Sequence, residues 1–284
     1  MEEHVQLGDV AMHVVQDGVA GAPTLLLIHG LGASTDWWEP VIPRLAETYR
    51  VVRVDLLGHG STTPPAGGDS GAGPSPYEIA AQARLIAAAL DRLAIERVAV
   101  VVGHSTGGSV ATAFAEQSPA RTGALALVDT GPSLDADTSD RPLSRLLFAP
   151  VPGRLLWRLL SGTIVRKSLS SAFTRPVELP PTLAHSAKAM THAALAGSAQ
   201  AAIAYLEQRT IPARLAGLDL PILVIFGTED KRWRSSSAIP DYRAVPGVHV
   251  EPLPGVGHTP MFEDPQATYT LLAAFADTAA APRH

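Results

Sequence analysis

Apolar residues are concentrated in short runs separated by segments with helical spacing. Four runs do not alternate with polar residues and are together rich in β-branched side chains: Leu25–Ile28, Val51–Val54, Val98–Val102 and Ile222–Phe226. Runs of this kind are typical of parallel strands that are buried on both faces. A fifth run, Ala124–Val128, is a weaker strand prediction because alanine has a low strand preference.

Helix-period segments, such as Tyr77–Leu93 and Ser109–Gln117, lie between these runs. Strands that alternate with helices predict an α/β fold with a doubly wound, mostly parallel sheet. The opening stretch His4–Gln16, with Gly8-Asp9 in its middle, is typical of an antiparallel hairpin at the sheet's edge. Residues 64–76 are rich in Gly, Pro and Ser, which predicts a mobile surface loop.

The alternation ends after Asp129. Residues 132–212 contain helical patterns broken by Pro and Gly but no strand-like run. We therefore predict a core domain formed by residues 1–131 and 213–284, with a helical cap inserted at 132–212. Residues 132–213 carry a net charge of +4, which leaves −9 for the remainder. This asymmetry could attract an anionic substrate, but solvated helix faces explain it about as well.

Composition narrows the function classes. The 284 residues are 46% hydrophobic, enough for a sizeable core, and the net charge of −5 gives no sign of a nucleic-acid partner. The absence of cysteine excludes disulfides, thiolate metal sites and cysteine nucleophiles. The N-terminus is acidic, and no apolar stretch approaches the ~20 residues that span a bilayer. These features predict a cytoplasmic protein without a membrane partner.

The strongest chemical signal is a glycine-rich turn around a serine, Gly103-His104-Ser105-Thr106-Gly107-Gly108. It directly follows the run Val98–Val102 and precedes an alanine-rich helical segment. A catalytic serine needs an exposed hydroxyl, a base within reach and backbone amides aimed at the developing oxyanion. A sharp strand-to-helix turn between small residues supplies the exposure, as in the G-x-S-x-G nucleophile elbow. We predict that Ser105 is a nucleophile; an incidental serine in a glycine-rich turn is the alternative.

A second glycine-rich turn, His29-Gly30-Leu31-Gly32, follows the first predicted strand. An oxyanion hole takes one amide from the residue after the nucleophile and one from this earlier loop. Thr106 and Leu31 would supply these N–H groups, and the two glycines would let the backbone turn them inward. An ordinary strand-to-helix turn is the alternative.

Ten histidines compete for the role of the catalytic base. His258 lies in the loop Pro254–Pro260, which follows the strand-like Val248–Leu253 and precedes a helix that begins near Pro265. A base on such a loop could reach a serine at the same edge of the sheet. His249 lies inside the strand-like segment, where a structural role fits better.

The acid that orients the base should also lie just beyond a strand. Asp230 does so, in Gly227-Thr228-Glu229-Asp230, and this gives the order serine, aspartate, histidine that accompanies the nucleophile elbow. Asp129 also ends a strand-like run and is the rival acid. Its alternative role, which we favour, is to cap the loop that leads into the insertion.

With these residues assembled, the chain resembles the α/β-hydrolase superfamily, in particular its capped esterase-like and lactonase-like members. The resemblance covers nearly everything outside residues 132–212. It rests on five motifs in the family's order: His29–Gly32, Asp55–Ser61, Gly103–Gly108, Gly227–Asp230 and Gly257–His258. It implies that Asp55 and Ser61 belong to a structural turn. Dehalogenases and epoxide hydrolases of this superfamily use an aspartate nucleophile, so a serine at position 105 argues against those reactions.

The implied chemistry is acyl transfer. His258 would take the proton of Ser105, which attacks an ester-type carbonyl, while Asp230 holds the imidazole in the useful tautomer. This predicts a serine hydrolase of a small-molecule ester or lactone, without a cofactor or metal ion, as a monomer or homodimer. C–C bond hydrolases, perhydrolases and lyases with the same serine remain open. A non-catalytic ligand-binding protein is less favoured, because no member of the triad is missing.

Candidate pocket walls are apolar residues close to these motifs. Trp37 and Trp38 follow the oxyanion loop, and one of them could face the substrate while the other packs in the core. Met261 follows the histidine. The insertion contributes Leu134, Leu146, Leu147, Phe148, Leu155, Leu156 and Trp157. We expect these insert residues first of all to pack against the main domain. The alternative is that some of them contact the substrate, with Phe148 and Trp157 as the candidates. Contact would indicate an apolar substrate group of modest size.

Overall fold

One eight-stranded sheet organises the residues that the computed structural model describes, 1–63, 75–138 and 146–280. Its strands are β1 Glu2–Leu7, β2 Val10–Gly18, β3 Thr24–Ile28, β4 Arg50–Val54, β5 Val100–His104, β6 Leu125–Val128, β7 Ile222–Gly227 and β8 Val248–Leu253. The spatial order is β1-β2-β4-β3-β5-β6-β7-β8. The hairpin β1–β2 is antiparallel and joins β4 antiparallel, whereas β4, β3 and β5 to β8 are parallel to one another.

This order confirms the α/β fold class with a mostly parallel sheet. The strand expected at Val98–Val102 begins two residues later and continues to His104, because Val100–Gly103 pair with β3 and Val101–His104 with β6. Val98 forms a single bridge with Thr122. The mobile loop expected at 64–76 falls, from 64 to 74, outside the described residues.

Helices cover both faces of the sheet. They are α1 Ile42–Leu45, α2 Ile79–Arg92, α3 Thr106–Gln117, α4 Pro152–Leu159, α5 Gly162–Ser170, α6 Pro181–Ala189, α7 His192–Gln208, α8 Ile211–Leu215, α9 Ser235–Arg243, α10 Pro260–Glu263 and α11 Pro265–Ala280. Helices α2, α3 and α9 pack on one face, and α1 and α11 pack on the other. Within β3, Leu26 and Ile28 face the first layer while Leu25 and Leu27 face the second. Because both faces are buried, the strand is continuously apolar.

The chain between β6 and β7 forms no strand in its described parts, 132–138 and 146–212. We call residues 132–212 the β6–β7 insert. Trp157 and Met190 of the insert pack with Leu57 and Tyr77 of the sheet domain in one apolar cluster. Two leucines expected to pack against the main domain, Leu146 and Leu155, are instead exposed. No helix of the described chain is both long and apolar enough to cross a membrane.

A buried carboxylate, Asp55, ties the end of β4 to the turn that follows it. Its Oδ2 accepts the Ser61 N–H at 2.8 Å and bonds His13 Nδ1 at 2.7 Å. Its Oδ1 accepts the Thr35 N–H at 2.7 Å, which anchors the loop after β3. Burial alone would raise the pKa of Asp55, but the hydrogen bonds with His13 and with the backbone N–H groups of Ser61 and Thr35 help to hold it below its ordinary value. The hydrogen bond with Asp55 raises the pKa of His13 against the opposing effect of burial.

A His13→Gln variant tests whether this pair is charged in the folded protein. We expect it to lose about 2 kcal/mol of unfolding free energy near pH 6, since a hydrogen bond between charged groups is removed. Because the pKa of His13 is raised on folding, its contribution is complete below about pH 6.5 and disappears as the pH rises through the folded value. Urea titrations at about pH 6 and about pH 9 should show the difference between the two proteins shrinking. A constant or growing difference would contradict a protonated His13.

Candidate active site

Ser105 occupies a strained turn between β5 and α3. Its backbone angles are φ 52° and ψ −122°, a region that residues other than glycine rarely adopt. The turn requires small neighbours, since a Cβ on Gly107 would lie 2.3 Å from the backbone oxygen of His29. Ser105 is partly exposed although the whole of β5 before it is buried. The turn thus presents the serine hydroxyl at the carboxyl edge of the sheet.

Three side chains that the sequence predicted to act together form one hydrogen-bonded chain. His258 Nε2 lies 3.0 Å from the Oγ of Ser105, and His258 Nδ1 lies 2.9 Å from Oδ2 of Asp230. The other oxygen of Asp230 accepts the N–H groups of Arg232 at 2.6 Å and Trp233 at 3.1 Å. When Asp230 accepts a hydrogen bond from the Nδ1–H of His258, the neutral imidazole has no proton on Nε2. The Nε2 atom can then accept the proton of the serine hydroxyl.

Burial and neighbouring charges shift the pKa values of the two candidate acids, Asp230 and Asp129, in opposite directions. Burial would raise the pKa of Asp230, but the charge and hydrogen bond of His258 lower it below its ordinary value. Asp129 is fully buried, and burial together with the nearby Asp230 charge raises its pKa well above the ordinary value. The two shifts favour the ionised form of Asp230 and the protonated form of Asp129.

Asp129 does not cap the loop into the insert, which corrects the role expected from the sequence. Its Oδ1 accepts the N–H of Gly227 at 2.9 Å, so it fixes the end of β7 beside β6. Its Oδ2 makes no hydrogen bond within the described residues. Ligand atoms of Asp129, Asp230 and His258 lie within 4.8 Å of one another, a grouping that a cation could use. Both ring nitrogens of His258 are, however, engaged by Asp230 and Ser105.

The loop after β3 passes directly beside the nucleophile. A Cβ on Gly30 would lie 3.1 Å from the Cβ of Ser105, so any side chain here would crowd the nucleophile. His29 holds the loop, because its Nδ1 bonds the Gly30 oxygen at 2.8 Å and its Nε2 accepts the Leu56 N–H at 3.0 Å. Burial lowers the pKa of His29, which keeps the ring neutral for this bridging role.

The two amides predicted to bind an oxyanion flank this approach. Thr106 is the first residue of α3, and Leu31 follows Gly30. Both residues are partly exposed, and neither backbone N–H has an acceptor in the described part of the chain. The first N–H groups of a helix have no intrahelical partner and lie at the positive end of the helix dipole. Binding of an oxyanion beside Ser105 by these two amides stays a prediction.

His104 is a site residue that the sequence analysis missed. Its ring is buried, and its Nε2 bonds the backbone oxygen of His258 at 2.8 Å. Burial, and then the nearby His258, lowers the pKa of His104 to about 3. The neutral ring therefore donates a hydrogen bond that positions the backbone of the candidate base. In the sequence, only its position next to Ser105 in the glycine-rich motif indicates that His104 belongs to the site.

Glu263 is a second missed residue, and it joins the histidine loop to the β6–β7 insert. Its Oε2 accepts the N–H groups of Thr174 and Arg175 at 2.8 Å and of Gly257 at 2.9 Å. Its Oε1 accepts the N–H and the hydroxyl of Thr259 at 3.2 and 3.1 Å. These five bonds fix both neighbours of His258 and two residues of the insert. A buried acid inside a helix has no recognisable sequence pattern.

Arg175 strengthens the same connection from the insert. Its guanidinium donates to the backbone oxygens of Pro254, Gly255 and Glu263 at 3.1 to 3.2 Å and pairs with Asp264 at 2.7 Å. In addition, the N–H of His258 donates to the Ala172 oxygen at 3.2 Å. The position of the candidate base thus depends on residues 172–175 of the insert.

The predicted pocket residues separate into two groups. Trp38 and Met261 are inaccessible in the core, which favours packing over substrate contact. Trp37 is also buried and packs against Phe173 and Phe262, with ring centroids 6.4 and 5.4 Å apart. Trp157 belongs to a different apolar cluster, and Phe148, Leu147 and Leu31 pack at the margin of that cluster. Its buried members are Val10, Leu57, Tyr77, Trp157, Val165, Ala187, Met190, Ala194 and Leu195.

A Glu263→Gln variant should destabilise the fold and disturb His258. A carboxamide can accept with its oxygen but meets N–H donors with its own NH₂ group, so one set of bonds is lost in either orientation. We expect a loss of about 3 kcal/mol in unfolding free energy, measured by urea titration. The matched control is the exposed Glu178→Gln, which should stay within about 0.5 kcal/mol of wild type. Equal stability of both variants would contradict the bonding described for Glu263.

Comparisons with known proteins identify related sequences. A family model described as alpha/beta hydrolase family matches residues 25–271. A Mycobacterium tuberculosis protein of uncharacterized function is 30% identical over 277 residues, covering 92% of this chain and 77% of the relative. Lipase 3 of a Moraxella species is 26% identical over 280 residues, covering 95% of this chain and 82% of the relative.

The fold is also shared with solved structures. A putative aryl esterase from Burkholderia cenocepacia superposes with a TM-score of 0.80 at 22% identity, covering 98% of this chain and 99% of the other. At this identity the likeness shows the fold alone. The match of the family model along residues 25–271 confirms the resemblance found in the sequence, and this chain belongs to the alpha/beta hydrolase family.

Proposed function

We propose that this protein is a serine hydrolase that cleaves a small to medium, largely apolar carboxylic ester or lactone. The observation that carries the proposal is the hydrogen-bonded chain from Ser105 through His258 to Asp230, with the serine on a strained turn. A serine in this arrangement has a base at its hydroxyl and an acid that sets the tautomer of the base. The relatedness to a lipase supports hydrolytic chemistry.

The reaction begins when His258 Nε2 takes the hydroxyl proton and Ser105 Oγ attacks the carbonyl carbon. The carbonyl oxygen becomes negative and accepts hydrogen bonds from the Leu31 and Thr106 amides. Each such donor contributes about 10² to 10³ to the rate in serine hydrolases. The protonated imidazole, stabilised by Asp230, then gives its proton to the leaving alkoxide. Water repeats the attack on the acyl-enzyme and restores the serine.

The apolar surroundings of the oxyanion loop support the substrate class. Leu31 contacts the cluster that contains Trp157, Met190 and Leu195 of the β6–β7 insert. An acyl or alcohol group held next to the Leu31 amide would therefore meet aromatic and aliphatic side chains rather than charges. In this proposal the insert is a cap over the site, and Phe148 and Trp157 are candidate substrate contacts.

A p-nitrophenyl ester chain-length series with a lactone panel tests the proposed function. We expect turnover by the wild type and a fall in kcat of at least ~10³-fold for Ser105→Ala and for His258→Ala. An organophosphonate or sulfonyl fluoride probe should add covalently to Ser105 in the wild type alone. Absence of an adduct under conditions that label ordinary esterases would sink the proposal. Activity on vinylogous diketones with poor ester turnover would instead indicate a C–C bond hydrolase.

Paired variants test the choice between the two acids. Asp230→Asn should lower kcat by about 10⁴-fold, because the amide donates to His258 Nδ1 and favours the wrong tautomer. Asp129→Asn should change kcat less than about tenfold, since the amide oxygen can still accept the Gly227 N–H and a neutral group is replaced by a neutral one. Steady-state kinetics on the best ester measure both. A larger loss in Asp129→Asn than in Asp230→Asn would reverse the assignment.

A further inference from the structure

The outer face of the β6–β7 insert carries a concentration of exposed apolar side chains. Eight large hydrophobic residues are exposed in the described part of the chain, and five of them lie between residues 146 and 164: Leu146, Val151, Leu155, Leu159 and Ile164. Val151, Leu155 and Leu159 are 80, 62 and 73% exposed. Exposed apolar side chains that share one face, unlike single exposed residues, can mark an interaction surface.

Helix α4 arranges the central part of this face. Five exposed residues share one side of the helix at helical spacing: Val151, Arg154, Leu155, Arg158 and Leu159. The opposite side is buried through Trp157, whose indole N–H donates to the Met190 oxygen at 2.9 Å. The helix is thus fixed to the molecule by its buried side and presents alternating leucine and arginine outwards.

The charged residues of the sequence from 141 to 177 are all positive. Arg154 and Arg158 of α4 are exposed, as are Arg166 and Lys167 of α5. Among the described residues, none of the four forms an ion pair. Residues 132–213 carry +4 whereas the remainder carries −9. The insert is therefore positively charged in a chain that is acidic as a whole.

A cavity of about 570 Å³ opens beside the arginines, between α4 and the start of α7. It is lined by Arg154, Arg158 and Lys188 and by Thr191–Ala193. Lys188 Nζ donates to the Trp157 oxygen at 2.6 Å and lies 5.0 Å from the centre of its ring, which orders the ammonium group. Three cations around one cavity suit a phosphodiester.

We propose that this face docks on an anionic phospholipid surface, with Leu155 and Leu159 at the acyl boundary and Arg154 and Arg158 among the headgroups. Arginine stems can lie along apolar surface while the guanidinium groups reach the phosphates. Elements with an apolar stripe and a cationic margin bind membrane interfaces by burial and by attraction to anionic lipid. The acidic remainder of the molecule is repelled by the same surface, so the insert faces the bilayer.

The sequence by itself predicts no membrane partner, because no run of residues is long and apolar enough to span a bilayer. Surface docking needs no spanning segment, since only side chains enter the interface. The docking proposal is also independent of the proposed hydrolase activity, because vesicle binding is measured without turnover.

Vesicle flotation tests the proposal with vesicles of phosphatidylcholine alone or mixed with phosphatidylglycerol. The wild type should bind the mixed vesicles more tightly, and the preference should fall in high salt. The double variant Arg154→Gln/Arg158→Gln should lose about 25-fold in partition coefficient, a factor of about five for each charge. Leu155→Ser/Leu159→Ser should lose at least tenfold, a reduction of at least about 1.4 kcal/mol.

The matched controls are Val19→Ser and Ile203→Ser, which remove exposed apolar side chains outside this face and should bind like the wild type. Thermal melts monitored by circular dichroism check that every variant is folded. The salt dependence of the wild type tests the proposal without any variant. Equal binding to both kinds of vesicle, or equal losses in the controls, would overturn it. A dimer of the wild type, detected by sedimentation without vesicles, would also overturn the proposal if Leu155→Ser/Leu159→Ser dissociated it. The face would then be an interface with a second copy of the chain.

Discussion

The candidate site depends above all on the parallel pairing of β3, β5, β6, β7 and β8. Parallel strands end at the same edge of a sheet, so the loops that follow them converge. Ser105 follows β5, Asp230 follows β7 and His258 follows β8, although 153 residues separate the serine from the histidine. The same pairing brings the glycine loop after β3 against Ser105. An insertion between β6 and β7 leaves this convergence intact because it departs from the same edge.

Buried carboxylates then make the converging loops rigid. Asp55 holds the turn after β4 and the loop after β3, and Glu263 holds both neighbours of His258. Each carboxylate accepts backbone N–H groups, and hydrogen bonds to charged groups are stronger than neutral ones. Asp129 differs, because a second charge beside Asp230 in a buried place is unfavourable. Asp230, whose surroundings favour the ionised form, is bonded to the histidine, and Asp129, whose surroundings favour the protonated form, is bonded to backbone.

The β6–β7 insert is connected to the site as well as packed over the sheet domain. Residues 172–175 bond the histidine loop through Glu263, Arg175 and the N–H of His258. Movement of this segment would carry the base away from Ser105. The insert also carries exposed apolar and basic side chains on α4.

The sequence by itself determined the fold class, the strand positions to within two residues and the serine turn, because these follow from local patterns. A run such as Ile222–Phe226 is apolar wherever it is placed, and glycines on both sides of Ser105 permit a sharp turn. Tertiary structure decided what depends on partners distant in the chain. It bonded Asp230 rather than Asp129 to His258, gave roles to His104 and Glu263, buried Trp38 and exposed Leu155. The physical reason is that burial, hydrogen-bond partners and pKa belong to a residue's surroundings, and only the packed chain creates them.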